Sequence, residues 1–315
     1  MRGLLLPVPT PFEAGGEVDV RALHVNIARW NETGVRGYVV LGSTGEAAHL
    51  DERERRMVIE AARAATPAQM TFIVGAGQPS TRATIAETRS AAAAGAEAVL
   101  VITPYYYRGA MTAAALVDHY RAVADASPVP VVLYSMPQLT GIALAPETIA
   151  QLSEHENIIG VKDSSGDIVN LAETRRLVPR DFAVLVGHGA AFYPGLCMGA
   201  MGGILAAGCV APEAALVILR AVAAGDHERA RDMQQKFGPL AQAVTARYGI
   251  GGLKAALEMR GYCGGPVRAP LKDASPEARH EIKNLLDAVM SASSIPVSRD
   301  QSPSGGILSA GAPKQ

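Results

Sequence analysis

The chain has 315 residues, of which 49% are hydrophobic and only 5% aromatic, and its formal net charge is −1 at pH 7. A near-neutral chain without a basic cluster is not expected to bind nucleic acid, and no apolar stretch reaches the roughly 18 residues that a membrane-spanning helix needs. The three cysteines form no CxxC pair, which is typical of a reducing compartment. The apolar run at the amino end is too short, and too soon interrupted by Pro7, for a signal peptide. Both features predict a cytoplasmic protein.

Short aliphatic runs alternate with helical patterns from the first residues to about residue 224. The helical patterns have clear ends and faces: Leu23, Ile27 and Trp30 recur at helical spacing, and Asp51 with Glu54 has the spacing of a capping box. Eight runs have the length and composition of buried parallel strands. They are Gly3–Val8, Gly37–Gly42, Thr71–Gly75, Ala98–Thr103, Val129–Tyr134, Ile158–Lys162, Ala183–Gly187 and Gly203–Ala207.

Eight strand–helix alternations predict a (β/α)8 TIM barrel, an α/β fold, over residues 1–224. An open doubly wound sheet is the alternative. Residues 225–290 form an additional C-terminal helical extension, with helices at about Asp226–Tyr248, Ile250–Arg260 and Ser275–Met290. Residues 291–315 are rich in Ser, Pro and Gly without periodicity, which predicts a disordered tail.

Lys162 lies inside the apolar run IIGVKDS of residues 158–164. A strand buried on both faces leaves an ammonium group without water and therefore favours the neutral amine, although an unperturbed lysine has a pKa of about 10.4. A neutral amine is the nucleophile that a Schiff-base enzyme needs. In the alternative interpretation, the side chain reaches solvent at the strand end or pairs with Asp163.

The other polar segments also follow predicted strands, and the active site of a barrel lies at the carboxyl ends of its strands. Together they supply an amine, phenols, hydroxyls and free backbone amides, a set that can form an imine, relay a proton and hold a carboxylate. Taken singly, Tyr134 is more typical of a core residue, the triplet Tyr105–Tyr107 of an interface or packing cluster, and GSTGE of an ordinary glycine turn. The segments are GSTGE at 42–46, TPYYY at 103–107, Tyr134-Ser135, Lys162-Asp163-Ser164 and Gly187-His188-Gly189.

No cofactor is predicted. The seven histidines show neither HxH nor HExxH spacing, so the sequence gives no support for a metal site. The segment that begins at Gly187 lacks the third glycine and the later acidic residue of a dinucleotide-binding fingerprint.

Four segments together resemble the dihydrodipicolinate synthase/N-acetylneuraminate lyase family: GSTGE at 42–46, TPYYYRG at 103–109, YSMPQLTG at 134–141 and IIGVKDSSGD at 158–167. The resemblance covers about residues 3–290, and the spacing between Tyr134 and Lys162 also fits. Within this family the chain is most similar to the 4-hydroxy-2-oxoglutarate aldolase branch, in segments 106–109, 127–135, 243–250 and 261–266.

The resemblance implies a role for several residues. Lys162 matches the imine-forming lysine, and Tyr134 matches the phenol that moves protons at the reacting bond. Ser43 matches the hydroxyl in the tyrosine relay, and Thr44 matches the residue beside the pyruvate carboxylate. Tyr106 matches a tyrosine that reaches into the neighbouring subunit's site, which implies a homodimer or a dimer of dimers.

Three further residues complete the predicted substrate site: Gly45, Ser164 and Leu205, whose backbone carbonyl would face bound pyruvate. Three positions depart from the family pattern. Dihydrodipicolinate synthases have an arginine where this chain has Leu139, and the aldolase branch has asparagine at the position of Thr44. His188 stands where an acidic or small residue is expected, and the resemblance implies no role for it.

The functional hypothesis is a class I pyruvate aldolase that cleaves or forms a 4-hydroxy-2-oxo acid, with 4-hydroxy-2-oxoglutarate giving pyruvate and glyoxylate. Alternatives within the family are a 4-hydroxy-tetrahydrodipicolinate (dihydrodipicolinate) synthase and a 2-keto-3-deoxy sugar-acid aldolase or dehydratase. Two alternatives belong to other functional classes. One is a phosphate-binding barrel isomerase, which would bind phosphate with the glycines at 187, 189, 202 and 203. The other is a non-catalytic binding protein with the same fold.

Overall fold

The computed structural model describes residues 1–293, in which eight parallel strands form a closed barrel in sequence order. Strand β1 pairs with both β2 and β8, so the predicted TIM barrel is confirmed and the open-sheet alternative is wrong. The strands are β1 Gly3–Pro7, β2 Gly37–Val40, β3 Thr71–Gly75, β4 Ala98–Ile102, β5 Val131–Ser135, β6 Ile158–Asp163, β7 Ala183–Val186 and β8 Gly202–Ile204.

Thirteen α-helices surround and extend the barrel within residues 1–293. The predicted capping box of Asp51 and Glu54 is present, and the predicted stripe of Leu23, Ile27 and Trp30 is buried. The helices are α1 Val20–Asn31, α2 Glu52–Ala65, α3 Thr81–Ala93, α4 Ala113–Ala126, α5 Pro137–Thr140, α6 Pro146–Leu152, α7 Ile168–Leu177, α8 Phe192–Cys197, α9 Ala206–Val210, α10 Pro212–Ala223, α11 His227–Gln242, α12 Gly249–Met259 and α13 Pro276–Ser293.

Some strand ends differ from the sequence prediction for local reasons. The second strand stops at Val40 because Leu41 takes a left-handed φ of 56°, which takes the chain out of the extended conformation. The eighth strand stops at Ile204 because helix α9 begins two residues later. The GSTGE segment and Leu205 therefore lie beyond the ends of β2 and β8.

The additional C-terminal helices are confirmed in α11, α12 and α13. Helices α10 and α11 pack against each other across residue 224, so the domain division at that position stays a prediction. Helix α13 continues to Ser293, two residues past the start of the predicted tail at 291. Residues 294–315 lie outside the described residues, and their disorder also stays a prediction.

The core has two layers, as expected of a barrel wrapped by helices. The inner layer fills the barrel and consists of Leu5, Val39, Ile73, Ala98, Leu100, Val132, Tyr134, Ala183, Leu185 and Ile204. The outer layer lies between the strands and the helices. Across residues 1–293, no helix has both the length and the apolar character needed to cross a membrane.

Candidate active site

Lys162 and Tyr134 are partners in the β5–β6 register. Both residues are 4% exposed, and the Lys162 Nζ lies 4.2 Å from the centroid of the Tyr134 ring. Within residues 1–293 the lysine forms no ion pair with Asp163, so the interpretation of a solvent-reaching or Asp163-paired lysine is wrong for this structure. The amine is enclosed at the mouth of the barrel, against a phenol.

The environment of Tyr134 makes its phenol more acidic. Burial raises the pKa of this phenol, whereas the neighbouring Lys162 ammonium lowers it. The hydrogen bond with Ser43 and the nearby polar groups of Ser164 and Lys162 lower the pKa further, and the balance lies below the ordinary value of a tyrosine. The Ser43 Oγ is 3.5 Å from the Tyr134 hydroxyl oxygen. Tyr134 can therefore exchange protons with both an amine and a hydroxyl.

The turn after β2 holds Ser43, Thr44 and Gly45 in a short 3-10 helix. Thr44 and Gly45 are buried, and the Gly45 N–H donates to the Gly42 carbonyl over 3.0 Å. The Thr10 hydroxyl donates to the Gly45 carbonyl over 2.7 Å, which holds the turn against the segment after β1. This turn places the Ser43 hydroxyl beside Tyr134.

Ser164 and Leu205 lie at the same end of the barrel. The Ser164 N–H donates to the Ser135 carbonyl over 2.9 Å, and the Leu205 N–H donates to the Leu5 carbonyl over 3.3 Å. A Cβ atom at Gly187 would lie 2.0 Å from the Ser164 Oγ, so only glycine allows the serine hydroxyl to stand where it does. Apart from Tyr106, all the residues predicted for the site therefore lie at the carboxyl ends of β2, β5, β6 and β8.

Tyr106 is the exception. Its side chain is 73% exposed on the loop after β4, and its ring contacts Tyr107 edge-on, with 5.0 Å between ring centroids. Within residues 1–293 its hydroxyl forms no hydrogen bond, and it does not reach Ser43 or Tyr134. A single chain does not bring Tyr106 to the site.

The sequence interpretation missed a buried ion pair next to the site. The Lys254 Nζ lies 2.6 Å from the Glu46 Oε1, and neither side chain is more than 2% exposed. Glu46 ends the GSTGE segment, and Lys254 stands in the apolar run GGLKAAL of α12. A lysine within an apolar run identified Lys162, and the same pattern could have identified Lys254.

Comparison with known proteins gives consistent matches over nearly the whole chain. Residues 1–289 match the sequence model described as the dihydrodipicolinate synthetase family. A 4-hydroxy-tetrahydrodipicolinate synthase of Methanothrix thermoacetophila is 35% identical over 286 residues, which cover 90% of this chain and 96% of the relative. An uncharacterized DapA-like lyase of Halobacterium salinarum is 37% identical over 279 residues, which cover 89% and 91%.

Solved structures agree with this match. Dihydrodipicolinate synthase from Thermotoga maritima superposes with a TM-score of 0.88 at 30% identity and covers 92% of this chain and 99% of the other. The family resemblance predicted from the sequence is thereby confirmed. The narrower resemblance to 4-hydroxy-2-oxoglutarate aldolase is not supported, because the relatives whose names give a reaction are 4-hydroxy-tetrahydrodipicolinate or dihydrodipicolinate synthases.

Proposed function

Because the chain belongs to the dihydrodipicolinate synthetase family, we propose that it is a lyase in which the Lys162 amine forms a Schiff base with pyruvate. The observation that carries this proposal is the enclosed Lys162 Nζ, 4.2 Å from the Tyr134 ring at the mouth of the barrel. An amine held inside the mouth meets a small 2-oxo acid with little competing water.

The chemistry begins once the Lys162 ammonium has lost its proton, when the neutral amine attacks C2 of pyruvate and gives a carbinolamine. Loss of water, with a proton supplied by Tyr134, gives the imine. Transfer of a proton from C3 to the Tyr134 phenolate then gives an enamine, whose C3 attacks an aldehyde carbon and forms the new carbon–carbon bond. The aldehyde oxygen takes up a proton from Tyr134 and becomes a hydroxyl, and hydrolysis of the imine by water releases the product and the Lys162 amine. In the cleavage direction the same groups act in reverse, and Tyr134 with Ser43 takes the proton from the hydroxyl beside the breaking bond.

Pyruvate also carries a carboxylate that must be held. We assign this role to Thr44, Gly45 and Ser164, which are buried at the same end of the barrel as the lysine, with the Leu205 carbonyl facing the three-carbon unit. The Thr44 and Ser164 hydroxyls can donate to a carboxylate, whereas the Gly45 and Ser164 N–H groups already donate to the Gly42 and Ser135 carbonyls. Holding the carboxylate would fix C2 at the amine.

The second substrate has two candidates. The names of the relatives favour 4-hydroxy-tetrahydrodipicolinate synthase activity, in which the aldehyde is aspartate semialdehyde. Leu139 favours the second candidate, cleavage of 4-hydroxy-2-oxoglutarate. This leucine is 57% exposed on α5 at the mouth of the barrel. The sequence resemblance implies that the synthases of the family have an arginine at this position. A leucine side chain has neither a positive charge nor a hydrogen-bond donor for the carboxylate of aspartate semialdehyde.

Borohydride trapping tests the shared step, and a substrate panel tests the difference. Pyruvate with borohydride should leave a reduced adduct on the protein, whereas a phosphate-binding isomerase or a non-catalytic binding protein would give none. Synthase activity with aspartate semialdehyde is then compared with pyruvate release from 4-hydroxy-2-oxoglutarate and from 2-keto-3-deoxygluconate. The absence of an adduct at saturating pyruvate would contradict the proposed function.

We further propose that the working form is a dimer or a dimer of dimers. Tyr105, Tyr106 and Tyr107 are all exposed on one loop, an aromatic surface of the kind that typically lies in an interface. A two-fold contact at this loop would carry Tyr106 toward the partner's site.

A further inference from the structure

Glu46 has an unusual backbone and unusual surroundings. Its φ and ψ of 53° and 33° lie in the left-handed region, which favours glycine, yet its side chain is completely buried. The carboxylate accepts from the Arg268 backbone N–H over 3.0 Å and lies 2.6 Å from the Lys254 Nζ. These contacts explain why a glutamate occupies a backbone conformation in which glycine would be less strained.

Lys254 is held from several sides. Besides Glu46, its ammonium donates to the Pro266 carbonyl over 2.7 Å and lies 4.4 Å from the centroid of the Phe12 ring. Its α12 backbone belongs to the C-terminal helical extension, whereas Glu46 directly follows the turn of Ser43, Thr44 and Gly45. The ion pair of Glu46 and Lys254 therefore connects the C-terminal helical extension directly to the turn after β2, which holds part of the candidate site.

The geometry of the turn depends on this bond. The Glu46 N–H donates to the Ser43 carbonyl over 3.2 Å, so a rotation of the Glu46 backbone would move Ser43 with it. Ser43 is already at the limit of hydrogen-bond distance from Tyr134, at 3.5 Å. A small displacement of the turn would separate the two hydroxyls.

We propose that Glu46 and Lys254 are positioning residues: their ion pair fixes the turn that holds the Ser43 hydroxyl against Tyr134. The C-terminal helical extension then contributes to the geometry of the candidate active site through Lys254. The inference rests on the proposed function for its catalytic consequence, whereas its structural consequence can be measured without any substrate.

The central experiment compares Lys254→Met with the double variant Glu46→Gln/Lys254→Met. The single variant leaves a buried carboxylate without its cation, which strongly destabilises a protein, whereas removal of both charges is often tolerated. We therefore expect the urea midpoint to fall in the single variant and to recover in the double variant. The rate of borohydride-trapped imine formation at saturating pyruvate should stay roughly 10- to 100-fold low in both, because the turn remains unanchored.

Glu54→Gln is the matched control. Glu54 forms an ion pair with the Arg268 side chain in the same polar cluster but does not contact the turn. This variant should lower the urea midpoint and keep the wild-type trapping rate. Trapping as slow as in the Lys254 variants would show that general loosening of the extension is the cause, and would overturn the proposal.

Hydrogen–deuterium exchange of a peptide that spans residues 42–50 supplies the substrate-free measurement. We expect faster exchange in the double variant than in wild type and in Glu54→Gln. Recovery of the trapping rate together with stability, or unchanged exchange, would overturn the positioning role. If the double variant does not fold, the single variant Glu46→Gln tests the positioning role, by its trapping rate and by the exchange of the same peptide. If wild type forms no adduct, the proposed function fails while the exchange result still decides the inference.

Discussion

Tyr134 and Lys162 stand opposite each other in the β5–β6 pair, with the Lys162 Nζ 4.2 Å from the centre of the tyrosine ring. Parallel pairing fixes this arrangement, because residues in register on neighbouring strands point to the same face of the sheet. Here that face is the barrel interior. An amine and a phenol are thus held together on two rigid strands, at the open end of an apolar core.

Lys162→Ala should abolish the reduced pyruvate adduct, because among residues 1–293 Lys162 is the lysine that contacts Tyr134. Intact-mass spectrometry after treatment with pyruvate and borohydride measures this loss. The exposed Lys236 provides the control, since Lys236→Ala should keep the adduct. The Lys162 variant should remain folded, because it leaves no unpaired charge behind. An adduct that survives Lys162→Ala would show that another amine reacts.

Tyr134→Phe should lower kcat by roughly 10²- to 10⁴-fold, the usual contribution of a positioned acid or base. The ring would still pack in the inner layer, so the fold should be kept. Steady-state kinetics with the active substrate of the panel measures the effect, and Tyr193→Phe, at an exposed hydroxyl beside His227, is the control. Near-normal turnover of Tyr134→Phe would identify the tyrosine as a packing residue.

Mixing two inactive variants should restore activity if Tyr106 serves a neighbouring subunit. In a mixture of Lys162→Ala and Tyr106→Phe, some heterodimers contain one site with both native groups. Activity after re-equilibration of the subunits measures this gain. Tyr107→Phe, the adjacent exposed phenol, should be active by itself. No gain on mixing, or a fully active monomer, would show that Tyr106 acts only within its own chain.

Gly187→Ala should destabilise the mouth of the barrel, because the new methyl group would lie 2.0 Å from the Ser164 Oγ. Overpacking of this kind costs about 1–3 kcal/mol, and a displaced Ser164 should also slow imine trapping. Gly15→Ala is the control, since nothing lies within 4 Å of a Cβ atom there. Unchanged stability and trapping in Gly187→Ala would mean that the Ser164 hydroxyl can move aside without consequence.

Acid should destabilise the protein through His119. Burial lowers the pKa of His119 from 6.5 to about 4, and its Nδ1 lies 2.9 Å from the Thr81 hydroxyl between α3 and α4. The unfolded state therefore takes up the proton first, so this contribution is complete above pH 6.5 and is lost as the pH falls toward 4. The expected loss of unfolding free energy is about 2–3 kcal/mol between pH 7.5 and 4.5.

Urea titrations at both pH values test this effect, with His119→Gln as the comparison. The variant cannot take up the proton, so its stability should fall less between the two pH values than that of wild type. Equal losses in the two proteins would show that other groups control acid unfolding.

Local sequence patterns were enough to predict the barrel fold and the position of Lys162 at the centre of the candidate site. The alternation of aliphatic runs and helical stripes predicted eight strands and the helices between them, because burial on one or both faces leaves a periodic trace in the sequence. Lys162 stood out for the same reason, as a charge within a run that must be buried. The carboxyl ends of parallel strands meet at one rim, which is why the sequence alone predicts that Ser43, Tyr134 and Ser164 lie near the lysine.

Tertiary structure alone decided which groups become partners. Glu46 and Lys254 lie far apart in the chain, and no period or motif connects them. Their pairing follows from the packing of α12 beside the turn after β2. Tyr106 belongs to the predicted set by motif, yet folding leaves it exposed on the rim. The local pattern of apolar residues predicts which residues are buried. The partner of a buried charge depends on the packing of segments that are distant in the sequence.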